Sequence, residues 1–223
     1  MYKRQLLRQL KPALAPHGVR QGRILFRDAP LEQVDQRTQA ARIGFVQQSP
    51  ENQIVTDKVW HELAFGMESL GFATPVIRRR VAEMASFFGI EEWFSRPVEA
   101  LSGGQKQLLA FGSVYAMGPE IYVLDEPTAN LDFGNQQRVL AQIRALTARG
   151  YTVLLSTHNP EHALHYAHRV LALQDGHIAA DGPTETALTP QLLQTLYGIQ
   201  AILAEVPTDR GTVRSLIVTE DME

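Results

Sequence analysis

Hydrophobic positions change period along this chain, and each change marks an element. Leu6, Leu7, Leu10 and Leu14 recur at helical spacing, interrupted by Pro12. Residues 22–26 and 42–47 read as short strands. Over 56–70, Val59, Leu63, Phe65, Met67 and Leu70 supply the apolar positions of a helix. A second helix over 75–88 carries Pro75 near its first turn, where the missing N–H costs nothing. These two helices are expected to form an insert between the first strands and the segment that follows.

The next stretch is a helix over 104–117 led by a glycine turn, then an apolar run over 121–124 bounded by Pro119 and Pro127, the pattern of a buried strand. A helix over 135–148 ends near Gly150, a suitable C-terminal cap, and 151–156 is another buried strand followed by a short helix over 161–167. Residues 170–173 and 177–180 flank Asp175-Gly176, a strong hairpin turn signal. Thr189-Pro190 opens a last short helix to Tyr197, and 199–218 alternates like the two strands of a terminal hairpin. Strands and helices alternate from end to end, which predicts an α/β fold with a mainly parallel sheet.

Composition acts mostly by exclusion. The 223 residues are 44% hydrophobic and 20% charged, the balance of a globular domain with a real core. A net charge of −3 gives no electrostatic reason to expect nucleic acid as a partner. With no cysteine there is no disulfide framework, thiolate nucleophile or cysteine metal site. No apolar run approaches the roughly 18–20 residues that span a bilayer, so work at a membrane implies docking through a partner.

The candidate chemistry begins with Asp125-Glu126, two carboxylates ending an apolar strand. They fall at the C-terminal edge of a parallel sheet, where open α/β folds bind ligands. Successive side chains leave a strand on opposite sides, so one acid can hold Mg²⁺ while the other orients or deprotonates an attacking water. Leu101-Ser102-Gly103-Gly104-Gln105 places a hydroxyl and bare backbone N–H groups just ahead of a helix, a site for an anionic phosphate oxygen. The same residues also read as a glycine turn with Ser102 as helix N-cap. His158, His162, His165 and His168 could place several imidazoles on one helical face, but no H-E-x-x-H is present. Arg78-Arg79-Arg80 reads as a solvated helix face.

Taken in order, Leu101 to Gln105, the strand ending in Asp125-Glu126, Ala129-Asn130-Leu131-Asp132 and Ser156-Thr157-His158 resemble the signature motif, Walker B strand, D-loop and switch histidine of ATP-binding cassette (ABC) ATPases. The resemblance covers nearly the whole chain and implies a P-loop NTPase-like core whose helical insert, about 56–103, carries the signature motif. A Walker B, D-loop and H-loop core would follow over about 104–185, and a C-terminal helix and hairpin over about 186–223. It implies ATP and Mg²⁺ as ligands. Gln48, in Phe45-Val46-Gln47-Gln48-Ser49-Pro50, resembles the Q-loop glutamine that senses Mg²⁺ and γ-phosphate; Gln47 is the alternative. Ser102, Gly103 and Gly104, with Gln105 closing the motif, would contact the γ-phosphate held by the opposite subunit. Asp125 resembles the Mg²⁺-associated aspartate and Glu126 the catalytic base. Asp132 resembles the D-loop aspartate that crosses the dimer interface, and His158 the histidine that hydrogen-bonds the γ-phosphate.

One family element is missing. No G-x-x-x-x-G-K-[ST] occurs, and the glycines at that spacing, Gly66 and Gly71, are followed by Phe72-Ala73. Family cassettes place the P-loop immediately before a helix reading like Leu6-Leu7-Arg8-Gln9-Leu10. Met1-Tyr2-Lys3-Arg4-Gln5 can be translated from GTG TAT AAG AGA CAG, a frame of a transposon end used in shotgun library preparation. Residues 1–5 are therefore expected to be a foreign leader, and 6–223 a cassette truncated of its first strands and P-loop, poorly folded and inactive alone.

Residues 52–66, from Asn52-Gln53-Ile54-Val55 to Phe65-Gly66, look like those of energy-coupling-factor and cobalt-type cassettes. Leu188-Thr189-Pro190-Gln191 through Tyr197-Gly198-Ile199 is similar to cassettes of siderophore and cobalamin importers. Both imply an ATPase subunit for micronutrient import, peripheral on the cytoplasmic face of the membrane. Its expected partners are a second cassette and a permease whose coupling helix enters a groove near Gln48 and the insert. The rival expectations are a fragment that donates only its signature face to a partner cassette, and a soluble non-transport ABC ATPase.

Overall fold

The computed structural model describes residues 22–129, 131–209 and 211–219; the expected leader at 1–5 and the helix around Leu6 lie outside them. The chain divides into two compact units, one ending at Ser156 and one running on from Thr157.

In the first unit the expected strand over 22–26 shortens to β1, Leu25–Phe26, paired antiparallel with β2, Ala29–Pro30. Arg27 and Asp28 both take positive φ between them, the backbone of a tight hairpin turn. Leu31 lies under this hairpin with Ile43, Phe45 and Val123. Helix α1, Gln36–Arg42, starts at an Asp35 cap that accepts from Thr38 N–H at 2.9 Å. It buries no residue, so it shows no apolar period that sequence reading could detect.

Strands β3, Ile43–Val46, β4, Ile121–Asp125, and β5, Thr152–Ser156, form a parallel sheet in the order β3-β4-β5. The register pairs Val46 with Leu124 and Asp125 with Ser156. β3 is buried throughout and β4 nearly so, which is why both read as unbroken apolar runs.

Between β3 and β4 lie α2, Val59–Ser69, α3, Thr74–Phe88, and α4, Gly103–Met117. α2 begins at Val59 rather than 56 because buried Glu62 turns back and accepts the N–H groups of Val55 and Thr56, holding them extended. Gly66 and Gly112 let α2 and α4 approach closely: a methyl at Gly66 would lie 2.9 Å from Met117 Cγ, and one at Gly112 would lie 3.2 Å from Leu63 Cδ2. Phe88 of α3 packs edge-on to Phe111 and Tyr115 of α4, and Tyr115 stacks on Tyr122 of β4, so the insert and the sheet share one aromatic core. Helix α5, Phe133–Ala148, begins ahead of the expected 135 because Asp132 supplies its N-cap.

The second unit starts with α6, Pro160–Tyr166, then the hairpin of β6, Arg169–Gln174, and β7, His177–Pro183. Asp175 and Gly176 turn it with positive φ, and both strands outrun the expected 170–173 and 177–180. The short α7, Thr184–Ala187, precedes α8, Pro190–Tyr197, which is capped by Thr189. β8, Ala201–Thr208, and β9, Gly211–Val218, form the terminal hairpin. Ala172, Leu188, Leu192, Leu193 and Ala201 make the core of this unit.

Candidate functional site

Parallel pairing brings the C-terminal ends of β4 and β5 to one edge of the sheet, and the two acids stand there. Asp125 is 2% exposed, and its Oδ1 accepts the hydroxyl of Ser156 at 2.9 Å. The same hydroxyl oxygen accepts Glu126 N–H at 2.9 Å. Glu126 leaves the strand with φ +43°, a left-handed backbone that costs a non-glycine residue on the order of 1–3 kcal/mol. Such strain persists where neighbours over-determine it, and the Ser156 hydroxyl is one such constraint.

Gln48 reaches the same edge from the loop after β3, its Nε2 donating to Glu126 Oε2 at 3.4 Å. The neighbouring Gln47 turns away, with its side-chain amide 3.5 Å from Asn52 O. The loop itself is fixed from two sides. Gln53 accepts Gln47 N–H at 2.8 Å and donates to Ala110 O at 3.2 Å, and buried Gln107 of α4 donates to Gln47 O at 3.5 Å. The backbone N–H of Glu51 and the Ser49 hydroxyl hold the Glu51 carboxyl below its ordinary range, with a smaller contribution from Lys106, which pairs with it across the exposed rim.

The signature residues sit at the N-terminus of α4. Ser102 is its N-cap and forms a reciprocal capping box with Gln105: Gln105 N–H donates to Ser102 Oγ at 3.3 Å, and Ser102 N–H to Gln105 Oε1 at 2.9 Å. The capping reading of Ser102 thus describes its own side chain, while the first-turn N–H groups of exposed Gly103 and buried Gly104 stand at the positive pole of the helix dipole. Asp132 has both oxygens committed to Asn135: Oδ1 accepts its N–H at 2.9 Å and Oδ2 its side-chain amide at 2.6 Å. These bonds, the backbone one first, hold the Asp132 carboxyl below its ordinary pKa. Asn135 packs directly on Gly104, which couples the start of α5 to the signature turn.

His158 opens the second unit, in the loop between β5 and α6. Its carbonyl accepts the hydroxyl of Tyr197 at 3.0 Å. In the same loop Thr157 Oγ1 lies 3.3 Å from His162 Nδ1 and accepts Asn159 N–H at 3.1 Å. His165 pairs with Glu161 at 2.7 Å, and Glu161 also accepts Leu216 N–H from β9 at 2.7 Å. The ring nitrogens of His162 and Nε2 of His165 therefore serve the framework of this unit. No group of three or more His, Cys, Asp or Glu suited to a metal occurs among the described residues.

Residues 3–129, more than half of the chain, match the protein family described as ABC transporter. The chain belongs to this family. It is 42% identical over 148 residues to the cobalt import ATP-binding protein CbiO of Syntrophus aciditrophicus (strain SB), covering 66% of this chain and 52% of that one. It is 35% identical over 206 residues to a Bacillus cereus (strain ATCC 10987 / NRS 248) protein named as an ABC transporter ATP-binding protein, covering 92% of this chain. The chain spans only 37% of the length of that relative. Among solved structures, cbiO1 from Clostridium perfringens, part of the transporter complex cbiONQ, superposes with a TM-score of 0.72 at 25% identity over 88% of this chain and 80% of its own. A structure described as an inward-facing metal-chelate type ABC transporter gives a TM-score of 0.76 at 25% identity over 98% of this chain and 83% of its own. The fold is that of an ABC ATPase cassette, and among the described residues no helix is long and apolar enough to cross a membrane.

Two kinds of residue in this cassette escaped the sequence. Gln53 and Gln107 brace the Q-loop, and the only sign of Gln107 was a polar residue within an otherwise apolar helix stripe. Ser156 stood inside the Ser156-Thr157-His158 segment, but nothing in one strand tells which residue of the next lies opposite it.

Proposed function

We propose that this cassette is the ATP-binding and ATP-hydrolysing part of an importer for a micronutrient, a vitamin, metal ion or metal chelate. The observation that carries the reading is the sheet-edge cluster of Asp125, Glu126 and Gln48, with Gln48 3.4 Å from the Glu126 carboxylate. Glu126 is the proposed general base toward a water attacking the γ-phosphate. Asp125, an anchored carboxylate oxygen donor, and the carboxamide of Gln48 suit Mg²⁺, a hard cation bound through few protein oxygens plus phosphates. When bound, Mg²⁺ offsets the charge on the phosphate oxygens. His158 and the α4 N-terminus with Ser102, Gly103, Gly104 and Gln105 are the proposed γ-phosphate contacts, the latter toward a nucleotide held by the opposite cassette, across an interface that includes Asp132.

The import assignment is supported by the cobalt-import relative and the metal-chelate structure. A second cassette and a membrane permease are the proposed partners, which puts the protein peripherally on the cytoplasmic face of the membrane. The proposed seat of a permease helix remains the insert and the surface near Gln48; a cavity of about 580 Å³ beside α2 and α3, lined by Trp60, Phe72, Ile77, Val81 and Phe94, supports the insert part of that reading, and Gln48 does not line it. The proposed domain division keeps the helical insert at about 56–103, the catalytic core at about 104–185 and the terminal helix and hairpin at about 186–223.

The test is ATP hydrolysis by the full-length gene product assembled with its partners. Glu126→Gln should lower kcat by about 100-fold or more while nucleotide binding persists; unchanged turnover overturns the reading.

A further inference from the structure

We infer that Ser156 is a positioning residue for hydrolysis, setting both acids of the cluster through one hydroxyl; the inference rests on the ATPase reading above. The Ser156 oxygen is 2.9 Å from Asp125 Oδ1 and 2.9 Å from Glu126 N, and the residue is buried. The direction of each bond is fixed by chemistry. A backbone N–H can only donate, so the hydroxyl accepts from Glu126. An ionised carboxylate can only accept, so the single hydroxyl proton goes to Asp125. One side chain therefore fixes the rotation of the Asp125 carboxylate and pins the Glu126 backbone in its left-handed conformation. That conformation decides where the Glu126 carboxylate points as the chain leaves β4.

The parallel register puts Ser156 directly opposite Asp125, so no backbone adjustment is needed to make both contacts. The hydroxyl is also the last side chain of β5 before Thr157 and His158. The strand that leads into the loop of His158 thus also aligns the acid pair. Alanine can make neither bond. Threonine keeps the oxygen in the same place. Cysteine keeps the size but has a weak donor and a weak acceptor.

The experiment measures ATP hydrolysis in the full-length gene product assembled with its partner subunits, for wild type, Ser156→Ala, Ser156→Thr, Ser156→Cys and Glu126→Gln. Ser156→Ala and Ser156→Cys should each lower kcat about tenfold or more, with KM for ATP changed less than about twofold, because the loss falls on groups acting in the transition state. Ser156→Thr should keep kcat within about threefold of wild type. If Ser156→Ala does not fold, Ser156→Cys carries the test. Wild-type kcat in folded Ser156→Ala or Ser156→Cys overturns the inference. So does a fall in nucleotide affinity and melting temperature that threonine does not rescue, since that is the mark of a purely structural residue. Glu126→Gln separates the two levels. If it retains turnover, the ATPase reading itself fails; if it abolishes turnover while Ser156→Ala is silent, only the positioning role fails.

Discussion

The hydroxyl of Tyr197 hydrogen-bonds the main-chain oxygen of His158 at 3.0 Å, so the end of α8 holds the residue that opens the second unit. Burial raises the Tyr197 phenol pKa, so the hydroxyl stays a donor through neutral pH. Tyr197→Phe removes the donor and leaves the ring in place. Tyr197 is 41% exposed, so water can replace the lost bond and the stability cost should be only about 0.5–1 kcal/mol. The sharper signature is local: amide exchange of His158 and Asn159 should quicken while that of β6 and β8 stays unchanged. Uniform change across the unit would show that Tyr197 acts through general packing instead.

His162 should make this unit acid-sensitive. Asn159 Oδ1 accepts Glu161 N–H at 2.9 Å, so the Asn159 amide nitrogen faces His162 Nε2, 3.2 Å away, and donates to it. His162 is therefore neutral with its proton on Nδ1, toward Thr157. Burial first, then the nearby His158 and His165, lower its pKa below the usual 6.5, with Glu161 opposing. As pH falls, the unfolded chain takes up this proton before the folded one. Stability from this group is complete above about 6.5 and is lost as pH drops through the window below it. Melting temperature measured from pH 7.5 to 5 should fall more steeply in wild type than in His162→Gln. Parallel curves would assign the acid sensitivity elsewhere.

The sequence disclosed what has a period or a fixed spacing. β3 and β4 were readable because burial on both faces makes them continuous apolar runs, and the Asp175-Gly176 turn because few residues tolerate its backbone. The position of Asp125 and Glu126 at a strand end was legible because the apolar run before them ends there, and the structure puts Asp125 last in β4 with Glu126 just beyond it. α1 was not readable, since it buries nothing. Nor were the contacts of Ser156, Gln107 and Asn135, which arise only when elements distant in the chain are laid side by side. The glycine spacing of Gly66 and Gly71 shows the opposite case. It resembles a phosphate loop on paper, and Gly66 turns out to be the place where Met117 of α4 crosses α2.

Glu62 is a buried carboxylate, 3% exposed, that accepts Val55 N–H at 3.1 Å and Thr56 N–H at 3.0 Å. It fixes the entry to α2 and so one wall of the insert. Glu62→Ala strands two backbone donors and should destabilise the folded cassette by about 2–4 kcal/mol, whereas Glu62→Gln keeps an acceptor oxygen and should lose less than half of that. Urea unfolding of the three proteins checks the order. Equal losses for alanine and glutamine would mean that the carboxylate charge, rather than the acceptor geometry, supports the turn.

Gly104 has no room for a side chain. A methyl there would lie 2.6 Å from Asn135 Cγ, inside any real contact, and the side chain it would displace is the one whose amide donates to Asp132 Oδ2. Gly104→Ala should therefore act at two places: on the turn where the methyl sits, and on the start of α5, where Asp132 keeps its backbone cap bond but loses the Asn135 side-chain amide. The overpacking should cost about 1–3 kcal/mol. Because the collision is with one named side chain, truncating that side chain should relieve it. Asn135→Ala alone removes the amide donor to Asp132 and should cost about 0.5–1.5 kcal/mol. The double variant Gly104→Ala, Asn135→Ala should then be more stable than the sum of the two single losses predicts, by about 1 kcal/mol or more. A thermodynamic cycle from denaturant melts of the four proteins gives this coupling directly. Simple additivity would show that the methyl at Gly104 is accommodated by movement of α4 and leaves the contact between the signature turn and α5 intact.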